Sequence, residues 1–145
     1  MAGPQFVTPQ PVHPSRPRRH FTLVQANKTL PLVKRIVADI VRLHDEVAVL
    51  QAKLAGGDAG AGKNQETQKA LERGIEQLQA YVDELAEVGC ELKDYQMGLI
   101  DFVGRHQGRD INLCWKLGED KITHWHEMQA GVAGRQPVSL LDEGE

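Results

Sequence analysis

The stretch IVADIVRLHDEVAVLQAKL, residues 36–54, carries the pattern that decides the fold. Its apolar residues recur at alternating intervals of four and three: Ile36, Ile40, Leu43, Val47, Leu50 and Leu54. This is the spacing of a helix that packs against another helix. A second segment repeats it at Leu71, Ile75, Leu78, Val82 and Leu85. Because the glycine-rich run GGDAGAGKN (56–64) joins the two, we predict an antiparallel helical hairpin with helices at about 22–55 and 65–88.

Local signals mark where these helices begin and end. Thr22 and Gln25 stand three residues apart, the arrangement of a capping box, so the first helix is predicted to start there. Pro31 lacks an amide donor and is predicted either to kink this helix or to mark a second start. Gly89 is a suitable C-terminal cap for the second helix.

After Gly89 the period of the apolar residues changes from about 3.6 to about 2, which favours strands. The segments GLIDFV (98–103), RDINLCWKL (109–117) and KITHWHEM (121–128) are predicted to form three strands within about 98–128. The fold class is therefore α+β: a long antiparallel helical hairpin, resembling a coiled coil, packed on a small antiparallel β-meander. A helical interpretation of residues 120–130 is the alternative.

The register of the meander follows if Gln107–Gly108 and Glu119–Asp120 form two-residue loops. Side chains alternate along a strand, so each face of the sheet carries defined rows. The face predicted to pack on the helices carries Phe102, Leu113 and His126, then Ile100, Trp115 and His124, then Leu117 and Ile122. The opposite face carries Asp101, Cys114 and Trp125, with Val103, Asn112 and Glu127 alongside.

Composition limits the function classes. With 145 residues the chain suits one domain, and its net charge of −3 gives no general attraction to nucleic acid or anionic lipid. No apolar run approaches the roughly 18 residues of a membrane span. We therefore expect neither a nucleic-acid partner nor a membrane partner, and interpret the basic residues of the first helix as its solvated face. Cys90 and Cys114 lack CxxC spacing and no secretory signal is present, so we expect a cytoplasmic protein with reduced thiols.

Three regions are predicted along the chain: a disordered, proline-rich basic tail at 1–20, a single α+β domain at 21–138 and an acidic tail at 139–145. The first tail contains a PxxP spacing, which proline-rich segments often carry by chance. GDAGAGKN, residues 57–64, nearly matches a phosphate-binding loop. However, Asn64 replaces the required Ser/Thr and no buried strand precedes it, so a flexible tip is predicted and no cofactor-binding residue is assigned.

The last third of the chain contains side chains that can bind a metal: Asp101, Cys114, Glu119, His124, His126 and Glu127. Zinc or iron needs three or four donors at one point. The predicted register places both histidines across the sheet from Asp101 and Cys114, so one site would require a twisted edge, a bulge or a second subunit. The alternative interpretations are a hydrogen-bonded core histidine at His126 and a small buried residue at Cys114. No catalytic residue is predicted, since GxSxG and HExxH motifs are absent and the register separates Cys114 from the histidines.

Several strings, taken in order, resemble a bacterial family of short proteins known as domain of unknown function 2203: FTLVQAN, LP, GCELKD, GLIDF, LCWKLGED, WHE and GVAGRQP. The resemblance covers roughly residues 20–138 and implies no activity. It implies that the family's pattern includes Asp101, Cys114, Trp115, Gly118, Glu119, Trp125, His126 and Arg135. It favours His126 over His124 as a site residue. FVGRHQGRD departs from the family where a proline is expected after the phenylalanine.

Two functions of different class follow from the sequence. The first is a non-enzymatic homodimeric binding or assembly module, whose helical seams contact a second copy or another protein. It is suggested by Val33, Val37 and Val41, which lie outside the narrow seam and need cover from the C-terminal part or from a second subunit. The second is a metal or small-ligand site with zinc or iron as the metal, accompanied by a modest metal-dependent activity. Its ligands would be Asp101, Cys114, Glu119 and His126.

Overall fold

The computed structural model describes residues 19–56 and 61–141. The predicted proline-rich tail therefore lies outside the described residues as far as residue 18, and the predicted acidic tail does so from residue 142. Part of the glycine-rich run, residues 57–60, is outside them as well.

The predicted helical hairpin is confirmed. α1 spans Leu23–Gly56 and α2 spans Ala61–Val88, and the two helices pack together. α2 begins four residues before the predicted residue 65, so the glycine at position 62 does not prevent helix formation. The seam between the helices is close-packed, since a Cβ added at Gly74 would lie only 2.6 Å from Cγ2 of Val47.

The predicted start of α1 and the predicted end of α2 are also confirmed. The Thr22 amide donates to Gln25 Oε1 at 3.0 Å and the Gln25 amide donates to Thr22 Oγ1 at 3.1 Å, which completes the capping box. Gly89 follows α2 with a φ of +116°, and its amide donates to the Leu85 carbonyl at 3.0 Å. Pro31 lies inside α1, so the alternative of a second helix start there is wrong.

The second layer is a five-stranded antiparallel sheet with strand order β1-β2-β3-β4-β5. The strands are β1 Cys90–Asp94, β2 Leu99–His106, β3 Arg109–Lys116, β4 His124–Glu127 and β5 Gln136–Pro137, with single 3₁₀ turns at Val132–Gly134 and Val138–Leu140. The three predicted strands correspond to β2, β3 and β4, and the helical alternative for residues 120–130 is wrong. Two strands were not predicted: β1 directly follows α2, and β5 has only two residues.

The predicted pairing of β2 with β3 is confirmed, with Phe102 opposite Leu113, Ile100 opposite Trp115 and Asp101 opposite Cys114. The turn has φ values of +53° at Gln107 and +77° at Gly108, as expected for a two-residue hairpin loop.

The predicted pairing of β3 with β4 is wrong by one residue. Leu113 lies opposite Trp125, Asn112 opposite His126 and Cys114 opposite His124. The connection runs from residue 117 to residue 123 instead of being a two-residue loop at Glu119–Asp120. Because side chains alternate, this shift moves both histidines to the face of Asp101 and Cys114 and moves Trp125 and Glu127 to the other face.

The helix-facing side of the sheet and the hairpin share one core. It includes Ile100, Phe102, Leu113, Trp115 and Trp125 from the sheet and Val33, Val37 and Ile40 from α1. Phe21 joins the layers: its ring packs edge-on against Phe102 at 5.0 Å, and its amide donates to the Val103 carbonyl at 2.8 Å. Val33 and Val37 are fully buried within the single chain, so their burial does not require a second subunit.

Gly98, in the β1–β2 turn, fixes how closely α1 approaches the sheet. Its φ is +67°, and an added Cβ would lie 2.8 Å from both Leu117 Cβ and Val37 Cγ1. We expect Gly98→Ala to lower the free energy of unfolding by about 1–3 kcal/mol more than Gly108→Ala. Gly108 is the matched control because it has a φ of +77° and nothing within 4 Å of its added Cβ. Urea denaturation of both variants measures the difference, and equal losses would show that the contact relaxes without cost.

Candidate metal centre

The corrected register brings three predicted ligands together on the side of the sheet that faces away from the helices. Asp101 of β2 lies opposite Cys114 of β3, and His126 of β4 lies opposite Asn112, two residues before Cys114. One donor atom each from Asp101, Cys114 and His126 lies within 4.8 Å of the other two. The residues that the prediction placed on opposite faces therefore form one cluster, which we call the Asp-Cys-His cluster.

The cluster is buried although it lies outside the main core. Asp101 is 4% exposed, Cys114 is 0% exposed and His126 is 3% exposed. Burial of polar groups is unfavourable unless they find partners, so the contacts inside the cluster determine which protonation states it can adopt.

Hydrogen bonding fixes the orientation and tautomer of His126. Its Nδ1 lies 2.8 Å from the backbone carbonyl oxygen of Glu127, and a carbonyl can only accept, so Nδ1 carries a proton. Its Nε2 lies 3.1 Å from both carboxylate oxygens of Asp101. In the neutral ring the Nε2 lone pair therefore points at Asp101. A backbone acceptor on Nδ1 is the usual support for a histidine that binds a metal through Nε2.

Asp101 and His126 must share a proton in the metal-free protein. Two lone pairs facing each other at 3.1 Å would repel, so either the carboxyl is protonated and donates to Nε2, or the ring is a cation that donates to the carboxylate. Burial raises the pKa of Asp101, and the interaction with His126 works in the opposite direction. Both assignments place one proton between the two side chains.

Cys114 is a protonated thiol in the metal-free protein. The pKa of the Cys114 thiol is raised to about 12. Burial is the main cause and the Asp101 charge is the next, and the neighbouring Arg135 guanidinium offsets part of their effect. Because nucleophilic attack requires the thiolate, Cys114 without a metal is a poor nucleophile at neutral pH. The expectation that no catalytic triad is present rested in part on a register that separates Cys114 from the histidines, and the structure corrects that register.

Glu119, the fourth predicted ligand, binds Arg135 instead of joining the cluster. Arg135 NH2 donates to its two carboxylate oxygens at 2.8 and 3.0 Å, and the Lys116 amide donates to Oε1 at 2.8 Å. Partial burial opposes ionisation, but the Arg135 and Lys116 hydrogen bonds dominate and lower the pKa of Glu119. Glu119 is thus connected to the cluster only through Arg135, which lies beside Cys114.

His124 and Glu127 remain outside the cluster. His124 is half-buried and its Nδ1 lies 2.9 Å from Thr123 Oγ1. Glu127 is paired with Arg109 by bonds of 2.9 and 2.6 Å on the other face of the sheet. The family resemblance favoured His126 over His124, and the structure places His126 in the cluster and His124 outside it.

Two neighbours of the cluster were not predicted as site residues. Arg135 binds Glu119 and lies beside Cys114, and its presence in the family's pattern was the only sequence signal for it. Asn112 is 5% exposed and lies on the cluster's face opposite His126. The predicted register already placed Asn112 on the face of Asp101, which was the signal that could have identified it.

Comparison with known proteins gives a match to a family model. The model of the family of uncharacterized conserved proteins DUF2203 matches residues 19–138, which contain the hairpin, the sheet and Arg135. No curated protein and no solved structure matches the chain. Within residues 19–56 and 61–141, neither helix combines the length and the apolar character needed to cross a membrane.

Proposed function

The chain belongs to the family of uncharacterized conserved proteins DUF2203, and from the geometry of its buried cluster we propose that it binds one divalent transition metal through Asp101, Cys114 and His126. The observation that carries the proposal is the convergence of a carboxylate, a thiol and a pre-oriented imidazole. Glu119 is not a ligand in this proposal, because Arg135 and the Lys116 amide occupy its carboxylate.

The spacing of the donors supports a metal of the size of zinc. In a tetrahedral site with bonds of about 2.0–2.3 Å, neighbouring donor atoms are about 3.3–3.7 Å apart. The 3.1 Å distance from His126 Nε2 to the Asp101 oxygens is already close to this range, and all three donors lie within 4.8 Å. Small side-chain movements therefore suffice to complete the site.

The donor types favour zinc first and ferrous iron second. A sulfur ligand disfavours magnesium, calcium and manganese, while nitrogen and sulfur together suit borderline metals. Since a thiol ligand must stay reduced, we propose a cytoplasmic location.

Metal analysis tests the proposal. Protein purified without an affinity tag or chelator should contain about one zinc or iron per chain, and Cys114→Ser should lower this content at least about tenfold. Cys90→Ser is the matched control, because Cys90 is another buried strand cysteine that lies on the helix-facing side. Metal-free wild-type protein whose stability does not change on addition of zinc or ferrous iron would refute metal binding.

A second candidate function, assembly through the hairpin, is supported by incomplete burial of its far end. The first two thirds of α1 contact the sheet or its connecting turns, through Asn27, Val37 and His44. In the last third, Val49 is 55% exposed and Leu50 and Leu54 are only partly buried. We propose that a second copy of the chain covers this part of α1, with Val49 in the contact, to form a four-helix arrangement.

Light scattering tests the assembly. We expect a dimer at micromolar protein concentration, and Val49→Glu should shift it to monomer because a charge would be buried in the interface. Val24→Glu is the control, since Val24 is 64% exposed near the opposite end of α1. A wild-type monomer would contradict the proposed dimer and leave the metal site unaffected.

A further inference from the structure

We propose that Arg135 and the open coordination position of the metal together bind a small carboxylate. This inference rests on the proposed metal site and specifies its ligand class. It assigns to Arg135 the role of holding one ligand oxygen while the other oxygen meets the metal.

The number of protein donors leaves room for such a ligand. Tetrahedral zinc takes four ligands, and sites with three protein donors keep the fourth position for water or substrate. Among the described residues, the group that can hold a metal consists of Asp101, Cys114 and His126 alone. Glu119 is not in this group, and its carboxylate is held by two contacts with Arg135 and one with the Lys116 amide.

Arg135 presents an unused donor at this place. Its guanidinium lies beside the Cys114 thiol, and its NH2 is held by Glu119. Its Nε is buried and has no hydrogen-bond partner among the residues that the structure describes. A buried N–H without an acceptor is unfavourable, and a charged guanidinium is especially suited to a planar carboxylate.

The exposed fractions indicate how a ligand reaches the site. The side chains of Arg135 and Glu119, which form an ion pair, are 14% and 20% exposed. Those of Asp101 and His126 are only 3% and 4% exposed. A ligand therefore enters past the Arg135–Glu119 pair. In this proposal one oxygen of the carboxylate accepts from Arg135 Nε and the other binds the metal.

Cobalt(II) provides a spectroscopic probe, since its visible absorption reports its ligands. Metal-free protein is loaded with cobalt(II) and titrated with sodium acetate. We expect a saturable change in the absorption spectrum, with an apparent dissociation constant at least about tenfold weaker in Arg135→Lys. The lysine keeps the charge but lacks the Nε donor. Arg105→Gln is the control, because Arg105 is an exposed residue outside the cluster.

The outcomes separate the two proposals. Failure of wild-type protein to bind cobalt would overturn the metal site and this inference with it. Cobalt binding without any acetate-dependent change would overturn the carboxylate site alone. Equal acetate affinity in wild type and Arg135→Lys, with cobalt bound in both, would remove Arg135 from the site.

Discussion

Trp115→Ala is expected to lower the free energy of unfolding of the metal-free protein by about 3–5 kcal/mol. Trp115 is fully buried in the core between sheet and hairpin, and its truncation leaves a large cavity. It also stabilises the connection between β3 and β4, because its indole N–H donates to the Glu119 carbonyl at 2.9 Å. Urea denaturation in the presence of chelator measures the loss without a contribution from bound metal.

Trp115→Phe separates packing from hydrogen bonding. It keeps an aromatic ring in the core but removes the donor to Glu119, so its loss should stay nearer to about 1–2 kcal/mol. The tyrosine at position 81, which is only partly buried in α2, provides a comparison: Tyr81→Ala should cost less than Trp115→Ala. A loss below about 1 kcal/mol for Trp115→Ala would mean that the site collapses around the smaller side chain.

The helical hairpin was predictable because its pattern is local and repeated. The alternation of four and three along Ile36 to Leu54 fixes which side of the helix is buried, whatever it packs against. The capping box at Thr22 and the glycine at position 89 act through neighbouring backbone groups, so the sequence displays them directly. The sequence left open whether the C-terminal part or a second subunit covers Val33 and Val37, because this contact joins distant segments.

The register error shows how a connection decides the location of a site. Gln107–Gly108 is a short turn with a strong local preference, and the pairing that follows from it was correct. Glu119 and Asp120 also suit a turn, yet here they belong to a longer connection held by Trp115, whose indole bonds the Glu119 carbonyl. A shift of one residue in the pairing of β3 with β4 moves His126 to the other face of the sheet, where it joins Asp101 and Cys114 in the Asp-Cys-His cluster.

The position of Arg135 beside the Asp-Cys-His cluster could not be predicted from residue spacing. Arg135 is 21 positions from Cys114 in the chain and comes beside it because β5 pairs with β4. A strand of two residues with a proline has no periodicity to detect. Its place in the cluster therefore follows from tertiary pairing, and the ordered family strings were the signal that pointed to it.

Metal binding is expected to displace two protons wherever both ligand groups are protonated in the metal-free protein, so the apparent affinity for zinc should fall as the pH is lowered, by up to about a hundredfold per pH unit. One proton is on the Cys114 thiol, whose pKa is raised to about 12. The other is shared by Asp101 and His126, where burial raises the pKa of the carboxyl. The metal-free state holds both protons and the loaded state neither, so lower pH favours the metal-free state and weakens binding. The Nδ1 proton of His126 stays on its carbonyl acceptor and does not contribute.

Calorimetry in buffers of different ionisation enthalpy counts the protons released as zinc binds. Asp101→Asn is the informative variant, because an amide N–H can donate to the lone pair of His126 Nε2 and no shared proton is then needed. The Asp101→Asn variant should release about one proton and bind zinc more weakly. Asp110→Asn is the control: Asp110 is hydrogen-bonded to His20 at the surface, so this variant should behave as wild type. Release of one proton by the wild type would mean that Asp101 and His126 share none, and the argument from their 3.1 Å contacts would be wrong. Release of none would mean that Cys114 is not bound as a thiolate.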